Sequence, residues 1–106
     1  MNNFSDMLSK AKDMQEKMKE AQEQIKKIEV EGEAGGKLVT VKLTGDYELK
    51  SINISDAAKK ESQEIINDLI IAAYNNAKEK LKKQSAEELS KITGGLDLPA
   101  GFKLPF

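Results

Sequence analysis

The chain has 106 residues, 39% of them hydrophobic, enough for one domain, or half of a shared one, with a limited core of its own. It contains no Cys and no His, which excludes disulfides and thiolate chemistry, permits a reducing compartment, and removes the commonest general base and nucleophile. The net charge is −1 and all 17 basic residues are Lys, so there is no global pull toward nucleic acid or acidic membranes.

From Phe4 onward, apolar residues hold an unbroken heptad register. Phe4, Ala11, Met18 and Ile25 occupy one position, and Met7, Met14, Ala21 and Ile28 the position three residues later. This predicts a helix over about 4–27 with a narrow apolar seam that needs another helix beside it. Asn3 is the expected N-cap, with Asp6 in the first turn near the free N–H groups. The spacings Glu16 to Lys19 and Glu23 to Lys27 add small local support.

The period changes near Ile28. Ile28, Val30, Gly32 and Ala34 alternate with Glu29, Glu31 and Glu33, which reads as a strand with one polar face. Gly35-Gly36 accepts positive φ and suits a tight hairpin turn. Lys37 to Leu43 reads as a second strand, Thr44-Gly45-Asp46 as a second turn, and Tyr47 to Ile54 as a third strand. The expected strands, over about 28–54, form an antiparallel meander that needs a helix across one face.

Ser55-Asp56 breaks the last strand and offers caps. A second long helix, about 60–93, begins between Ala57 and Glu64 and carries Ile65, Ile66, Leu69, Ile70, Ala73, Ala77 and Leu81, with Ala72 and Tyr74 widening its apolar sector. Beyond Lys78 only Leu81, Leu89 and Ile92 continue a possible seam. Gly94-Gly95 stops the helix. Residues 94–106 hold both prolines and several apolar residues without periodicity, and are expected to be flexible or docked onto a partner surface. The domain proper is expected over 1–93, and the fold class is α+β.

No apolar run approaches the roughly 20 residues that span a bilayer. The N-terminus lacks a signal-peptide pattern, so a cytoplasmic protein is expected. Carboxylates are abundant but sit on polar faces, where solvation is the default. Glu29, Glu31 and Glu33 share a strand face that can in principle hold a hard cation, although spaced acids on an exposed strand usually keep an edge soluble. Gly32 to Gly36 is no phosphate loop, because no helix start or Gly-Lys-Ser/Thr ending follows. The expectation is no enzyme, no cofactor, no metal and no small-molecule substrate.

The Met7, Met14 and Met18 stripe fits an adaptable binding surface less well than a helix–helix seam. Residues 1–28 hold six Lys against five acids and residues 78–93 five against three, with an acidic stretch between. Lys10, Lys12, Lys17 and Lys19, with Lys78, Lys80, Lys82 and Lys83, lie on the two long helices and are the candidate nucleic-acid contacts. Composition alone leaves a polyanion-binding row and an ordinary solvated face equally open.

The stretch VEGEAGGKLVTV (30–41) resembles the hairpin of the YbaB/EbfC family of nucleoid-associated DNA-binding proteins. DLIIAAYNNAKEK (68–80) resembles that family's second long helix, and SKITGGLDLP (90–99) its glycine-rich end. Lys37 stands where members often have a third glycine, and Asn67 where an acid is usual. The resemblance implies an α-β-β-β-α subunit, a tight homodimer with helices projecting like tweezer arms, and binding of duplex DNA in the cytoplasm. It also implies a role in nucleoid organisation or gene regulation. The absence of Arg favours phosphate contacts over base reading, since Arg supplies the planar fork that pairs with guanine. The alternative is a prefoldin-like chaperone or coiled-coil adaptor, whose subunits share a helix–hairpin–helix layout.

Overall fold

Two long helices flank a three-stranded sheet in the order α1 (Asn2–Lys26), β1 (Glu29–Ala34), β2 (Val39–Thr44), β3 (Leu49–Ile54), α2 (Asp56–Lys59) and α3 (Gln63–Thr93). The computed structural model describes residues 2–94, so the expected tail lies outside the described residues except for Gly94. The α-β-β-β-α arrangement and the antiparallel meander, with strand order β1-β2-β3, are as expected from the sequence.

Several boundaries differ. Asn3 lies within α1 and does not cap it, because the helix already begins at Asn2. Lys27 leaves the helix in a tightened last turn, where the Lys27 and Ile28 N–H groups donate to the Gln24 and Ile25 carbonyls at 3.1 and 3.0 Å.

The β1–β2 pairing closes at Ala34 and Val39. The turn therefore includes Lys37, which was expected to open β2. Gly35, Gly36 and Lys37 have φ of +64°, +65° and +73°, and three left-handed residues in succession cannot continue a strand. Tyr47, read as the start of the third strand, has φ +62° and sits in the second turn, its N–H donating to the Thr44 carbonyl at 2.9 Å. Between β2 and β3 the register shifts at Lys42/Leu43.

The second helical region is split. Ser55 caps the short α2 and Ser62 caps α3, each side-chain oxygen accepting the N–H three residues on, from Ala58 at 3.1 Å and Ile65 at 3.3 Å. Gly94 ends α3 in the left-handed conformation at φ +69°, as its position just past the helix leads one to expect.

The core lies between sheet and α3. Val30, Val39, Val41 and Leu43 pack with Ala58, Ala73, Ala77 and Leu81, all buried. Gly32 lets the two layers approach closely: a Cβ there would collide with the Ala73 carbonyl and with Ala77. Leu69 lies against Gly35, Ala73 and Ala77 lie over Gly32, and Lys80 reaches Glu31. Thus α3 runs antiparallel to β1, from its end toward its start. α3 lies over β1 and β2, whereas β3 stays exposed from Leu49 to Asn53.

Beyond Leu81, α3 leaves the sheet and packs along α1. Ala21 and Ile25 of α1 are buried and Met14 and Met18 half-buried. On α3, Leu81 is buried and Ser85, Glu88, Leu89 and Ile92 are half-buried. The spacing four-three-four is shared by residues 14, 18, 21 and 25 and by 81, 85, 88 and 92, so part of the heptad seam is met within the chain. The molecule is 72 Å long and 24 by 17 Å across, as expected for helices carried outward from a small sheet.

Candidate nucleic-acid interface

The turn between β2 and β3 fixes the root of α1. Gly45 is buried against the Ile25 carbonyl, where any Cβ would clash, and this contact holds the end of α1 to the sheet. From that root about 25 residues of helix give a rod about 37 Å long.

Lys10, Lys12, Lys17 and Lys19 are all exposed on α1. At 100° per residue they form two lines and not one. Lys12 and Lys19 lie on a stripe that Lys26 extends, each seven residues from the next, bordered by Gln15 and Gln22 on one side and by Glu16 and Glu23 on the other. Lys10 and Lys17 lie across the seam, within three or four positions of Asp6, Asp13 and Glu20, so both lines have acids at helical spacing that weaken their field. Lys26 was missed as a candidate, although its heptad spacing from Lys12 and Lys19 was readable.

The α3 lysines are not brought onto one face. Lys78 is half-buried and lies one turn from Lys82 on the same side. The Lys82 ammonium stands 4.0 Å from the Glu79 carboxylate. Lys80 projects to the other side, where its Nζ donates to the Glu31 backbone carbonyl at 2.9 Å. Lys83 is exposed.

The bond from Lys80 has a structural role that the sequence did not disclose. β1 is an edge strand, and unpaired edge groups invite pairing with other chains. Asn76 Oδ1 accepts the Glu33 N–H at 3.0 Å while Lys80 donates to Glu31. Side chains of α3 thus close this edge of the sheet. On the opposite edge, β3 is exposed from Leu49 to Asn53, and Leu49 and Ile52 are 43% and 44% exposed on the face shared with the core.

The outer sheet face is mixed in charge. Lys42 lies opposite Glu31, and Lys50 reaches across β2 to Glu29 at 2.9 Å. The hydrogen bond from Lys50 and its charge hold the Glu29 carboxyl below its ordinary range, with a smaller contribution from Lys42. Among the described residues no group of three acidic or other ligating side chains is placed to hold a metal ion. Nor, among them, is any helix long and apolar enough to cross a membrane.

Residues 1–96 match the sequence profile of the YbaB/EbfC DNA-binding family. The chain is 45% identical to a nucleoid-associated protein of Granulibacter bethesdensis and 45% identical to one of Rhodospirillum centenum, each match covering 100% of both chains. It is 46% identical to a nucleoid-associated protein of Agrobacterium fabrum, again over 100% of both. These likenesses do not favour the chaperone or adaptor alternative.

Proposed function

The chain belongs to the YbaB/EbfC DNA-binding family, and from that premise we propose a homodimer that binds duplex DNA through phosphate contacts with little sequence selectivity. Its place of action is the nucleoid, within the cytoplasm, as the names of its relatives suggest, with a part in nucleoid organisation or gene regulation and no catalytic step. The observation that carries the reading is the projecting pair of long helices, with Lys10, Lys12, Lys17 and Lys19 exposed on α1. Lys78, Lys82 and Lys83 of α3 add charge on the second helix. Lys80 is the weakest member of the set, since its ammonium already serves the β1 edge.

Lysines without arginine suit backbone recognition, because an ammonium acts as a point charge and not as a bidentate fork. A net charge of −1 is consistent with modest affinity that falls steeply with salt. The second copy is assigned to the open side of the sheet. There Leu49 and Ile52, with Ile71 of α3 60% exposed, form apolar surface beside an unpaired strand edge.

Two measurements test the reading. Mobility shifts with unrelated duplexes should give similar affinities that fall together as salt rises. A strong preference for one sequence, or binding that ignores salt, would overturn the phosphate reading. Sedimentation should show a dimer that Ile52→Asp converts to monomer, and a dimer that survives this change would place the interface elsewhere.

A further inference from the structure

The outer turns of α1 carry an apolar strip that no described residue covers. Every residue from Asn3 to Asp13 is exposed, and burial begins only at Met14. Within this stretch Phe4 is 69% exposed, Met7 66% and Leu8 53%. With Ala11 they share one face, since 100° per residue puts all four within an arc of about 100°. Lys10 and Lys12 flank that arc, one on each side, about 90° to 110° from its centre. Asp6, Asp13 and Glu16 lie farther round, about 130° to 170° away, toward the back of the helix. Single exposed apolar residues are ordinary, but a contiguous strip with a cation on each flank marks an interaction surface.

The charges decide what fits it. Two copies of the strip laid face to face, in either direction, would set lysine against lysine along both flanks, and like charges repel. A ligand with apolar matter between two rows of negative charge satisfies the strip and both flanks at once. The major groove of duplex DNA has that form, with phosphates along both rims and thymine C5-methyl groups on its floor. At about 12 Å across it also admits a helix of about 10–12 Å diameter. We propose that the outer turns of α1 enter the major groove, with Phe4, Met7, Leu8 and Ala11 against thymine methyl groups and Lys10 and Lys12 on the phosphates of the two strands. The proposal rests on the DNA-binding reading and adds to it a contact with the bases. Such a contact discriminates weakly, by about fourfold for each methyl buried. Selectivity therefore stays low and takes the form of a mild preference for A·T-rich duplex.

The test compares two duplexes of one sequence, identical except that uracil replaces every thymine and so removes every major-groove methyl. The protein should bind the uracil duplex about fourfold more weakly or worse, with an unchanged salt slope, because the phosphates are the same. Phe4→Ala with Leu8→Ala should bind both duplexes equally. These side chains are exposed, so the variant should melt like the parent. Conversely, 5-methylcytosine in a G·C duplex should raise the affinity of the parent and not of the variant. Equal affinity of the parent for thymine and uracil duplexes would overturn the proposal and leave phosphate binding standing, whereas failure to bind either duplex would overturn both. Discrimination that persists in the variant would place the methyl contact elsewhere on the protein and overturn the proposal equally. Where the parent shows equal affinities, a larger assembly lost on sedimentation of the variant would assign the strip to a second copy. Binding to anionic vesicles, lost in the variant, would in that case assign it to a membrane surface.

Discussion

A side chain at position 32 would have to occupy space already held by the Ala73 carbonyl and by Ala77. Neither neighbour is the free end of a flexible side chain, so α3 would have to lift from β1. Gly32→Val is expected to lower stability by about 3 kcal/mol, the upper part of the range for overpacked sites. Urea unfolding checks this, and an unchanged midpoint would show that helix and strand are not held in this contact. Glu29 and Lys50 make a contrasting case on the open face. The Lys50 ammonium holds the Glu29 carboxyl low, so Lys50→Met is expected to let it titrate at higher pH, as carbon-detected NMR of the carboxyl would show. A depressed folded-state pKa gives stability that is present above the unfolded value and lost as pH falls through the folded one. The dependence therefore lies on the acid side, below the ordinary carboxylate range. Because both side chains are largely solvated, little of the fold should depend on the pair.

Among the elements, Ser62 sets the start of α3. Its hydroxyl accepts the Ile65 N–H at 3.3 Å, and Ser62→Ala should cost about 1 kcal/mol by leaving the first turn uncapped. Thermal unfolding would register the loss, whereas an unaltered melting temperature would mean that the first turn of α3 contributes nothing to the cooperative unit. That cap also shows where sequence patterns run out. The alternation of Val30, Gly32 and Ala34 with three glutamates was enough to place β1, and the heptads were enough to place α1, because burial on one face enforces the period. Ser62 was passed over since the apolar run that it introduces starts three residues later. Tyr47 looks like a strand residue by type and Lys37 stands at the head of a β-branched run, yet each adopts positive φ, a choice made by the turn as a whole and invisible in single-residue preference. The candidate lysines are legible from composition and helix placement. Their division into separate lines was readable from 100° spacing. The use of Lys80 on the Glu31 carbonyl, 49 positions away, depended on how α3 crosses β1, which no local pattern specifies.

The whole molecule, 72 Å long, places most of its exposed lysines on helices that leave the sheet, and this geometry makes the proposed DNA contact separable into parts. Neutralising Lys10, Lys12, Lys17 and Lys19 to Gln keeps side-chain length and helix propensity, so the fold should be retained. If these side chains meet phosphates, affinity for unrelated duplexes should fall by similar factors. The slope of log affinity against log salt should shrink by about 0.9 for each contact removed. A second set, Lys78, Lys82 and Lys83 to Gln, is expected to matter less, because Lys78 is half-buried and Lys82 stands near Glu79. Lys80 is kept in both sets so that the β1 edge stays closed and any loss reflects DNA alone. The control, Lys42 and Lys50 to Gln, removes as much charge from the sheet as half of the first set removes from α1. Phosphate contact by the arm requires a larger slope change per lysine from α1 than from the sheet. Equal changes per lysine would instead describe diffuse attraction to the summed charge of the dimer, which screening over about 8 Å at physiological salt would make weak.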